Sequence, residues 1–525
     1  MQQPTGGEAL AAALADHGVD TVFGIPGTHN LGVFSALVAN GVRPILTRHE
    51  QGAGYAADGY ARTSGRPGVC LTTTGPAILN AAAAAAQAWS DSVPVLFISP
   101  GMPTRHPARG NGLLHEVKDQ RAAMDAIVAY SHHVRSVGEI PHAVAAAFAA
   151  MTAGRPRPVH LEIPLDLIDA RADAPAVAPT KSAPPIPDAG ELATAAELLA
   201  AAQRPVIIVG GGARWASESV RRLAEQLGAP VVTSANGKGV LDEQHPLAIG
   251  AGLHHPSVRA LVENADVVLA VGTELAPSDL WNGPFHLSGT TIRVDIDPAA
   301  VITNIDPGVR LIGDAARTID ALLALLPVDP RVTTRAAQAR DGLIADAAAE
   351  GEPYLDMLAA LRTVVDEKTI VVGDSTMACY YGILSGLRVR RAGGFLYPTG
   401  MGTLGYGLPA AIGAKLADPD AHVLAVLGDG GVMFTIAELA GAAQLGLALP
   451  VLVVDNGGYG EIRDEMVQRG EEPVAVALDR VDFPAAARAM GCYGVPVTAD
   501  TLAGAVEQAW AADRPTVLHL PLPPR

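Results

Sequence analysis

The sequence predicts an α/β protein built from three doubly wound, parallel-sheet domains. Short runs of β-branched residues alternate with Ala- and Leu-rich helical stretches along all 525 residues. The apolar runs end in Gly, Pro, Asp or Ser, which is typical of parallel strands buried on both faces. Such alternation indicates an α/β fold in which helices cover both faces of each sheet.

Two shifts in composition divide the chain into its domains. Residues 172–188 are Pro-rich and are not expected to form a helix or an inner strand. Residues 327–353 are polar and contain two early prolines. We therefore predict a first domain over residues 1–175, a middle domain over 185–328 and a last domain over 350–525.

Composition and charge exclude several classes of protein. Hydrophobic residues make up 49% of the chain and charged residues 17%, which favours ordered cores. The net charge of −17 disfavours nucleic-acid and anionic-membrane partners. Cys70, Cys379 and Cys492 are too widely spaced for a zinc motif or a disulfide framework. The N-terminus lacks a basic, apolar signal sequence, so we expect a cytoplasmic protein with no membrane partner.

The densest polar signal lies in the last domain. The run GDGG at 428–431 ends one predicted strand, and Asn456 ends the next, 456 − 429 = 27 positions after Asp429. Because parallel strands end at the same edge of a sheet, the two polar clusters should meet there. Their side-chain oxygens would suit Mg²⁺, and the glycines would let backbone amides approach a phosphate.

This stretch resembles the signature of thiamine-diphosphate (ThDP)-dependent enzymes, commonly GDG, a helix and a strand, and then NN. Asp455 stands where the family usually has the first Asn. The resemblance implies that Asp429, Asn456 and the backbone carbonyl of Gly458 hold Mg²⁺.

The resemblance also implies which residues contact ThDP. Residues 397–417 are similar to the family's pyrimidine-holding loop, with the carbonyl of Gly402 accepting from the cofactor's amino group and Leu404 as the apolar wedge that bends the cofactor. Ser375 and Thr376 would lie near the diphosphate. The other expected cofactor contacts are Pro26, Pro76, Asn80, Gly428, Gly430, Gly431, Tyr459 and Gly460.

A glutamate followed by small residues stands out in the first domain, within RHEQGAGYAADGYAR at 48–62. This stretch resembles the N-terminal half-site of the same enzymes. The resemblance implies that Glu50 hydrogen-bonds N1′ of the aminopyrimidine and so activates the cofactor. We interpret the neighbouring Gly and Ala residues as leaving room for the flat pyrimidine. The alternative is a structural ion pair of Glu50 with Arg48 or Arg62.

By the same resemblance, the first domain of one subunit faces the last domain of another. Glu50 and Asp429 would then meet across the interface of a C2-symmetric dimer, which two such dimers could extend to a tetramer. Each chain would contribute half of two active sites.

The middle domain opens with VIIVGGGARW at 206–215, a strand followed by a glycine-rich turn. This pattern is weakly Rossmann-like. Acetohydroxyacid synthases carry FAD in this domain and some relatives carry ADP. FAD is therefore possible here but is not expected.

Two segments bear on the reaction. GLLHEVKDQ at 112–120 and GYGEIR at 458–463 resemble 5-guanidino-2-oxopentanoate (2-ketoarginine) decarboxylases more than acetohydroxyacid (acetolactate) synthases. The Gln and Trp with which those synthases select a second 2-oxo acid have no match here. We expect decarboxylation of a 2-oxo acid, with conversion of 5-guanidino-2-oxopentanoate to 4-guanidinobutanal as the candidate reaction.

Three alternatives remain open from the sequence. The chain could be an acetolactate synthase, or a benzaldehyde-lyase-like carboligase, since the His-Asn pair at 29–30 also resembles that group's pocket. A non-catalytic paralogue is the third, and the intact Glu50, Asp429 and Asn456 argue against it.

Two histidines are candidate catalytic residues. His29 and His115 could donate a proton to the substrate oxygen or to the carbanion-like intermediate. Histidines in such loops are also often structural.

Glu461 is the third catalytic candidate, because it follows Gly458 by three positions and should face the mouth of the site. A guanidinium substrate favours a carboxylate that matches its planar fork. Glu461, Glu116 or Asp119 could supply one. Glu461 could instead orient a water molecule or pair with Arg463.

Overall fold

The computed structural model describes residues 2–107, 109–180, 183–328, 331 and 333–522. These residues form three six-stranded sheets. All their strand pairings are parallel, and helices lie between successive strands. The predicted fold class is confirmed.

The first sheet has the strand order β2-β1-β3-β4-β6-β5. Its strands are β1 (Thr21–Gly24), β2 (Arg43–Leu46), β3 (Gly68–Leu71), β4 (Val95–Gly101), β5 (Ser131–His133) and β6 (Val159–Pro164). The helices of this domain are α1 (Gly6–Asp16), α2 (Leu31–Ala39), α3 (Glu50–Ser64), α4 (Pro76–Ser90), α5 (Gln120–Asp125), α6 (Ile140–Thr152) and α7 (Leu165–Asp169).

The middle sheet has the order β12-β11-β10-β7-β8-β9, which is the strand order of dinucleotide-binding folds. Its strands are β7 (Pro205–Val209), β8 (Val231–Thr233), β9 (Ala248–Ala251), β10 (Val267–Val271), β11 (Thr290–Asp295) and β12 (Val309–Ile312). Its helices are α8 (Ala189–Ala201), α9 (Ser217–Leu227), α10 (Pro256–Glu263), α11 (Pro277–Leu280), α12 (Ala315–Leu325) and α13 (Arg335–Glu350).

The last sheet, β14-β13-β15-β16-β18-β17, repeats the order of the first. Its strands are β13 (Thr369–Gly373), β14 (Phe395–Leu396), β15 (His422–Gly428), β16 (Pro450–Asp455), β17 (Tyr493–Pro496) and β18 (Thr516–Pro521). Its helices are α14 (Leu355–Leu361), α15 (Leu384–Gly386), α16 (Gly407–Ala417), α17 (Asp429–Val432), α18 (Glu438–Gln444), α19 (Gly460–Gln468), α20 (Phe483–Ala489) and α21 (Ala499–Trp510).

The two segments at which the composition changes have different structures. The described part of 172–188 contains neither helix nor strand. The segment 327–353 instead contains helix α13, which packs against α10 and β9 of the middle domain. Alanines dominate this helix, and Leu343 anchors it in the core. None of the described helices has the length and apolar content that a membrane span requires.

The glycines of the middle domain's first turn serve packing within that domain. A Cβ at Gly210 would lie 2.3 Å from the carbonyl oxygen of Gly272, and one at Gly212 would lie 2.9 Å from its Cα. Their small size is accounted for by this close approach. Because packing explains these glycines, they do not indicate a bound nucleotide such as FAD.

Candidate active site

Three strand ends of the last sheet meet at its carboxyl edge. Thr376 follows β13, and a Cβ at Gly428, the end of β15, would lie 2.8 Å from its hydroxyl oxygen. A Cβ at Gly430 would lie 2.8 Å from the ring of Tyr459, which follows β16. These approaches require glycine, and they bring the predicted phosphate-side residues together.

The oxygen atoms of the three candidate metal ligands lie close together. The side-chain amide oxygen of Asn456 lies 2.8 Å from the carbonyl oxygen of Gly458 and 3.1 Å from Oδ1 of Asp429. Three such acceptors repel one another unless a donor or a cation lies between them. Neighbouring oxygens around an octahedral Mg²⁺ are separated by about 2.9 Å. The donor set therefore fits Mg²⁺.

Rotating the Asn456 amide would instead let its nitrogen donate to both oxygens. That rotation would turn the amide oxygen toward the sulfur of Met377, to which the nitrogen now donates at 3.5 Å. A thioether sulfur is a poor partner for an oxygen. In either orientation the amide of Asn456 lies between Oδ1 of Asp429 and the carbonyl oxygen of Gly458.

Asp455, the departure from the family pattern, has a structural role. Its Oδ1 accepts from the backbone N–H of Gly457 at 3.0 Å, and its Oδ2 lies 2.9 Å from Nε2 of His519. Both contacts hold the turn that presents Asn456. Burial, followed by the charge of Asp455, raises the pKa of Asp429.

Asp374, which the sequence did not single out, organises this edge. Its carboxylate accepts from the backbone N–H groups of Ser375 at 2.8 Å, Gly405 at 3.0 Å and Gly407 at 3.3 Å. Burial raises its pKa to about 6. These bonds fix the loop carrying Gly402 and Leu404 beside the strand end. A strand ending in Asp-Ser-Thr was the available signal.

The loop that Asp374 fixes contains Gly402 and Leu404, the two residues predicted to contact the pyrimidine side of the cofactor. Gly402 has φ +58°, where a side chain is disfavoured, and a Cβ there would lie 4.0 Å from the hydroxyl oxygen of Ser375. Leu404 lies against Gly431, with its Cδ2 3.7 Å from the position of a Cβ there. Leu404, the predicted wedge residue, is thus next to the glycines of the run 428–431.

The N-terminal candidates form a second cluster in the first domain. Glu50 opens α3, and its Oε2 accepts from Nδ2 of Asn80 at 3.0 Å. Asn80 lies on α4, one turn after Pro76, which begins that helix. Pro26 is exposed in the loop after β1 that also carries His29.

Neither arginine considered as a partner of Glu50 is paired with it. The guanidinium of Arg62 is engaged by Asp58 and Asp91, each at 2.7 Å. The guanidinium of Arg48 donates to the side-chain oxygen of Gln444 at 2.9 Å. The carboxylate of Glu50 is left partly exposed beside Asn80.

The interpretation of the small residues in α3 was wrong. Protein atoms, and not an open cavity, fill the space beside them. A Cβ at Gly52 would lie 2.4 Å from Oε1 of Glu438, and one at Gly54 would lie 2.4 Å from the methyl of Ala84. A Cβ at Gly59 would lie 2.1 Å from the carbonyl oxygen of Ala410 on α16. Small residues are required because α3 packs closely against its neighbours.

Glu438 is a second residue that the sequence did not single out as functional. It is buried on α18, and its carboxylate accepts from the backbone N–H groups of Arg48 at 3.0 Å and His49 at 2.9 Å. Burial raises its pKa to about 7. The last domain thus fixes the backbone immediately before Glu50.

His29 and His115 are neighbours, with ring centroids 4.9 Å apart and an edge-to-face arrangement. Nδ1 of each ring is buried without a hydrogen-bond partner in the described part of the chain. His115 has φ +65°, a strained conformation that is common at functional sites. Burial, and then the charge of His115, lowers the pKa of His29, which favours a neutral imidazole.

Gln120 fixes the backbone next to the two histidines. Its side-chain oxygen accepts from the backbone N–H of Gly75 at 2.7 Å, and its nitrogen donates to Ser99 and Glu162 at 2.9 Å. A Cβ at Gly75 would lie 2.1 Å from the carbonyl oxygen of His115. Gln120 and Gly75 therefore set the position of His115 and of the start of α4.

Three parallel sheets, an oxygen cluster suited to a cation and glycine-rich strand ends define a cofactor-dependent α/β enzyme. Three family models match the chain: the thiamine pyrophosphate enzyme N-terminal TPP binding domain over residues 4–123, the central domain over 192–322 and the C-terminal TPP binding domain over 372–520. The chain belongs to the thiamine pyrophosphate enzyme family, thiamine pyrophosphate being another name for ThDP.

Curated relatives agree with this assignment. The chain is 44% identical over 495 residues, 93% of its length and 88% of the relative's, to the probable 2-ketoarginine decarboxylase AruI of Pseudomonas aeruginosa. It is 33% identical over 519 residues, 90% and 85% of the two lengths, to a probable acetolactate synthase large subunit of Methanocaldococcus jannaschii. It is 32% identical over 490 residues, again 90% and 85%, to acetolactate synthase isozyme 1 large subunit of Escherichia coli.

Proposed function

We propose that this enzyme decarboxylates 5-guanidino-2-oxopentanoate to 4-guanidinobutanal without oxidation, using ThDP and Mg²⁺. The observation that carries the proposal is the 44% identity, over nearly the whole chain, to a probable 2-ketoarginine decarboxylase. The acetolactate synthases match less well, at 33% and 32% identity.

The residues of the last domain fit the diphosphate and its metal. Asp429, Asn456 and the carbonyl of Gly458 would hold Mg²⁺, which in turn binds phosphate oxygens. Ser375 and Thr376, with the glycines of the run 428–431, would line the diphosphate. When bound, ThDP supplies the electron sink into which the bond to the leaving CO₂ breaks.

The residues of the first domain would manage protons. The carboxyl of Glu50 would share a proton with N1′ of the aminopyrimidine, and Asn80, which donates to it at 3.0 Å, would orient it. His29 or His115 would return a proton to the substrate carbon after CO₂ leaves. The unpartnered, buried Nδ1 atoms of the two rings are consistent with that task.

We also propose that the active unit is a homodimer or a tetramer of two dimers. Within one chain, Glu50 bonds to Asn80 of its own domain, whereas the oxygen cluster lies in the last domain. A two-fold axis that places the first domain of one chain against the last domain of another would complete two sites at once.

A competition experiment tests the proposed reaction. Purified protein with ThDP and Mg²⁺ would receive pyruvate and 5-guanidino-2-oxopentanoate together, and mass spectrometry would identify the products. We expect 4-guanidinobutanal as the main product. Acetolactate alone would overturn the proposal in favour of the synthase activity of the more distant relatives.

A further inference from the structure

Three carboxylates were candidates for recognising a guanidinium group, and two of them, Glu116 and Asp119, bind the backbone of their own segment. Oε2 of Glu116 accepts from the backbone N–H groups of Asn111 and Gly112 at 3.0 and 2.9 Å, and Oε1 lies 3.0 Å from His106. Asp119 caps α5 by accepting from the N–H of Ala122 at 2.9 Å. Both carboxylates stabilise their own loop.

Glu461 is placed differently. It lies in the first turn of α19, beside Gly460, where a Cβ would approach Nδ2 of Asn456 to 2.6 Å and Sδ of Met377 to 2.7 Å. The half-buried side chain of Glu461 therefore starts next to the proposed metal ligand. Its Oε1 accepts from the hydroxyl of Tyr381 at 2.9 Å. Among the described residues, none donates to Oε2, so one oxygen is fixed and the other is available.

Aromatic rings extend from this carboxylate into the middle domain. Tyr381 lies in a π-helical turn, Ala378–Ile383, a rare local structure that is frequent at functional sites. Its ring meets that of Trp281 edge-on, with centroids 5.9 Å apart at 89°. Trp281 in turn stacks on His254 at 3.8 Å. His254 therefore covers one face of the indole, and Trp281 is 39% exposed.

The electrostatic surroundings favour a cation. Burial, followed by the carboxylate of Glu461 and then by Glu350 and Asp464, raises the pKa of Tyr381, so its hydroxyl stays protonated and donates. Arg463, two positions after Glu461 on the same helix, is paired with Asp464 at 3.0 Å. The carboxylate of Glu461 is left without a cationic partner in the part of the chain that the structure describes.

We propose that Glu461, Tyr381 and Trp281 form the subsite for the guanidinium group of the substrate, an inference that rests on the proposed function. An N–H group of the guanidinium would donate to Oε2 of Glu461, while the hydroxyl of Tyr381 holds the carboxylate in place through Oε1. The cationic plane would lie against the indole of Trp281. The three methylene groups of the substrate would span the distance to the reacting carbon. The middle domain would thereby take part in substrate selection.

The test compares two substrates, 5-guanidino-2-oxopentanoate and 2-oxohexanoate, the second of which has a shorter side chain without a charge. With ThDP and Mg²⁺, Glu461→Gln should raise KM for the guanidino substrate about 10- to 100-fold, the worth of a charge-assisted hydrogen bond. The kcat/KM for 2-oxohexanoate should change less than about threefold. Trp281→Leu should act in the same direction with a smaller effect. Glu465→Gln is the matched control, because this carboxylate on the same helix pairs with Arg469.

The pattern of losses distinguishes this role from others. If Glu461 orients a catalytic water, Glu461→Gln will lower kcat for both substrates alike, and the proposed subsite is overturned. An unchanged preference for the guanidino substrate in Glu461→Gln would overturn the subsite while the proposed function stands.

A binding measurement separates the two proposals when turnover fails. If the unmodified enzyme shows no preference for 5-guanidino-2-oxopentanoate, the proposed function is wrong. Calorimetric titration with 4-guanidinobutanoate then decides the subsite. Binding to the unmodified holoenzyme that Glu461→Gln weakens at least about tenfold would support it, and equal binding to both would overturn it.

Discussion

The carboxylate of Glu438 occupies the space that a side chain at position 52 would need. A Cβ on Gly52 would lie 2.4 Å from Oε1 of Glu438, which is closer than real Cβ contacts occur. The same carboxylate accepts from the backbone N–H groups of Arg48 and His49. The glycine two residues after Glu50 thus allows the last domain to fix the backbone that presents Glu50.

Substitution Gly52→Ala should lower both stability and activity. Alanine normally favours a helix over glycine, but here the methyl group must displace Glu438 from its backbone partners. We expect a loss of about 1–3 kcal/mol in the free energy of unfolding, as for overpacked cores, and a lower kcat. Denaturant unfolding and steady-state kinetics would measure both.

Gly504→Ala is the control for that substitution. Gly504 lies in α21, and a Cβ there would meet no atom within 4 Å. It should be neutral or stabilising by up to about 1 kcal/mol. If Gly52→Ala behaves like Gly504→Ala, the contact with Glu438 does not constrain the site.

The stability of the Glu438→Gln variant, compared with that of the unmodified enzyme, should increase as the pH rises. Burial raises the pKa of Glu438 to about 7, so the stability that its protonated form contributes is complete below about pH 4.5 and is lost as pH rises through about 7. Arg48 lowers this pKa and Glu50 raises it. The melting temperature of the variant minus that of the unmodified enzyme should therefore increase between pH 5 and 8. A difference that is independent of pH would contradict the buried, titrating carboxylate.

The sequence predicted that Asp429 and Asn456 would lie close together, because the ends of the strands follow a regular spacing. Asp429 and Asn456 end neighbouring parallel strands, and a strand–helix–strand unit brings such ends together whatever the side chains between them. Glu438 carries no such signal. It acts on Arg48 across 390 positions, and a single glutamate on a helix looks like any solvated residue. The glycines of α3 were visible in the sequence, but only packing shows what fills the space beside them.

Removal of the metal should weaken ThDP binding reversibly. Treatment with EDTA and gel filtration should raise the Kd for ThDP at least about tenfold, and Mg²⁺ should restore it. Asn456→Ala should weaken binding even in Mg²⁺, because it removes one of three converging oxygens. Asp455→Asn should bind almost normally, since Asp455 contacts Gly457 and His519. Calorimetric titration with ThDP would give the Kd for the EDTA-treated enzyme, the enzyme with Mg²⁺ restored and the two variants. Equal losses of affinity in Asn456→Ala and Asp455→Asn would contradict the ligand assignment.

Glu50→Gln should bind ThDP but turn over slowly. The amide keeps the shape of the carboxyl group and can still contact Asn80, but it cannot share a proton with the cofactor. We expect kcat to fall about 10²- to 10⁴-fold, the usual worth of an acid–base group, with the Kd for ThDP changed only slightly. Full turnover in this variant would show that Glu50 does not activate the cofactor.

Two inactive variants should restore each other if the site is shared between subunits. In a mixed dimer of Glu50→Gln and Asp429→Asn chains, one site would contain both substitutions and the other neither. Random assortment makes half of the dimers mixed, so co-expression should recover about one quarter of the unmodified activity. Each variant alone should be nearly inactive. If the co-expressed pair is no more active than the separate variants, although both chains are present in the purified dimer, then Glu50 and Asp429 of the same chain must serve the same site.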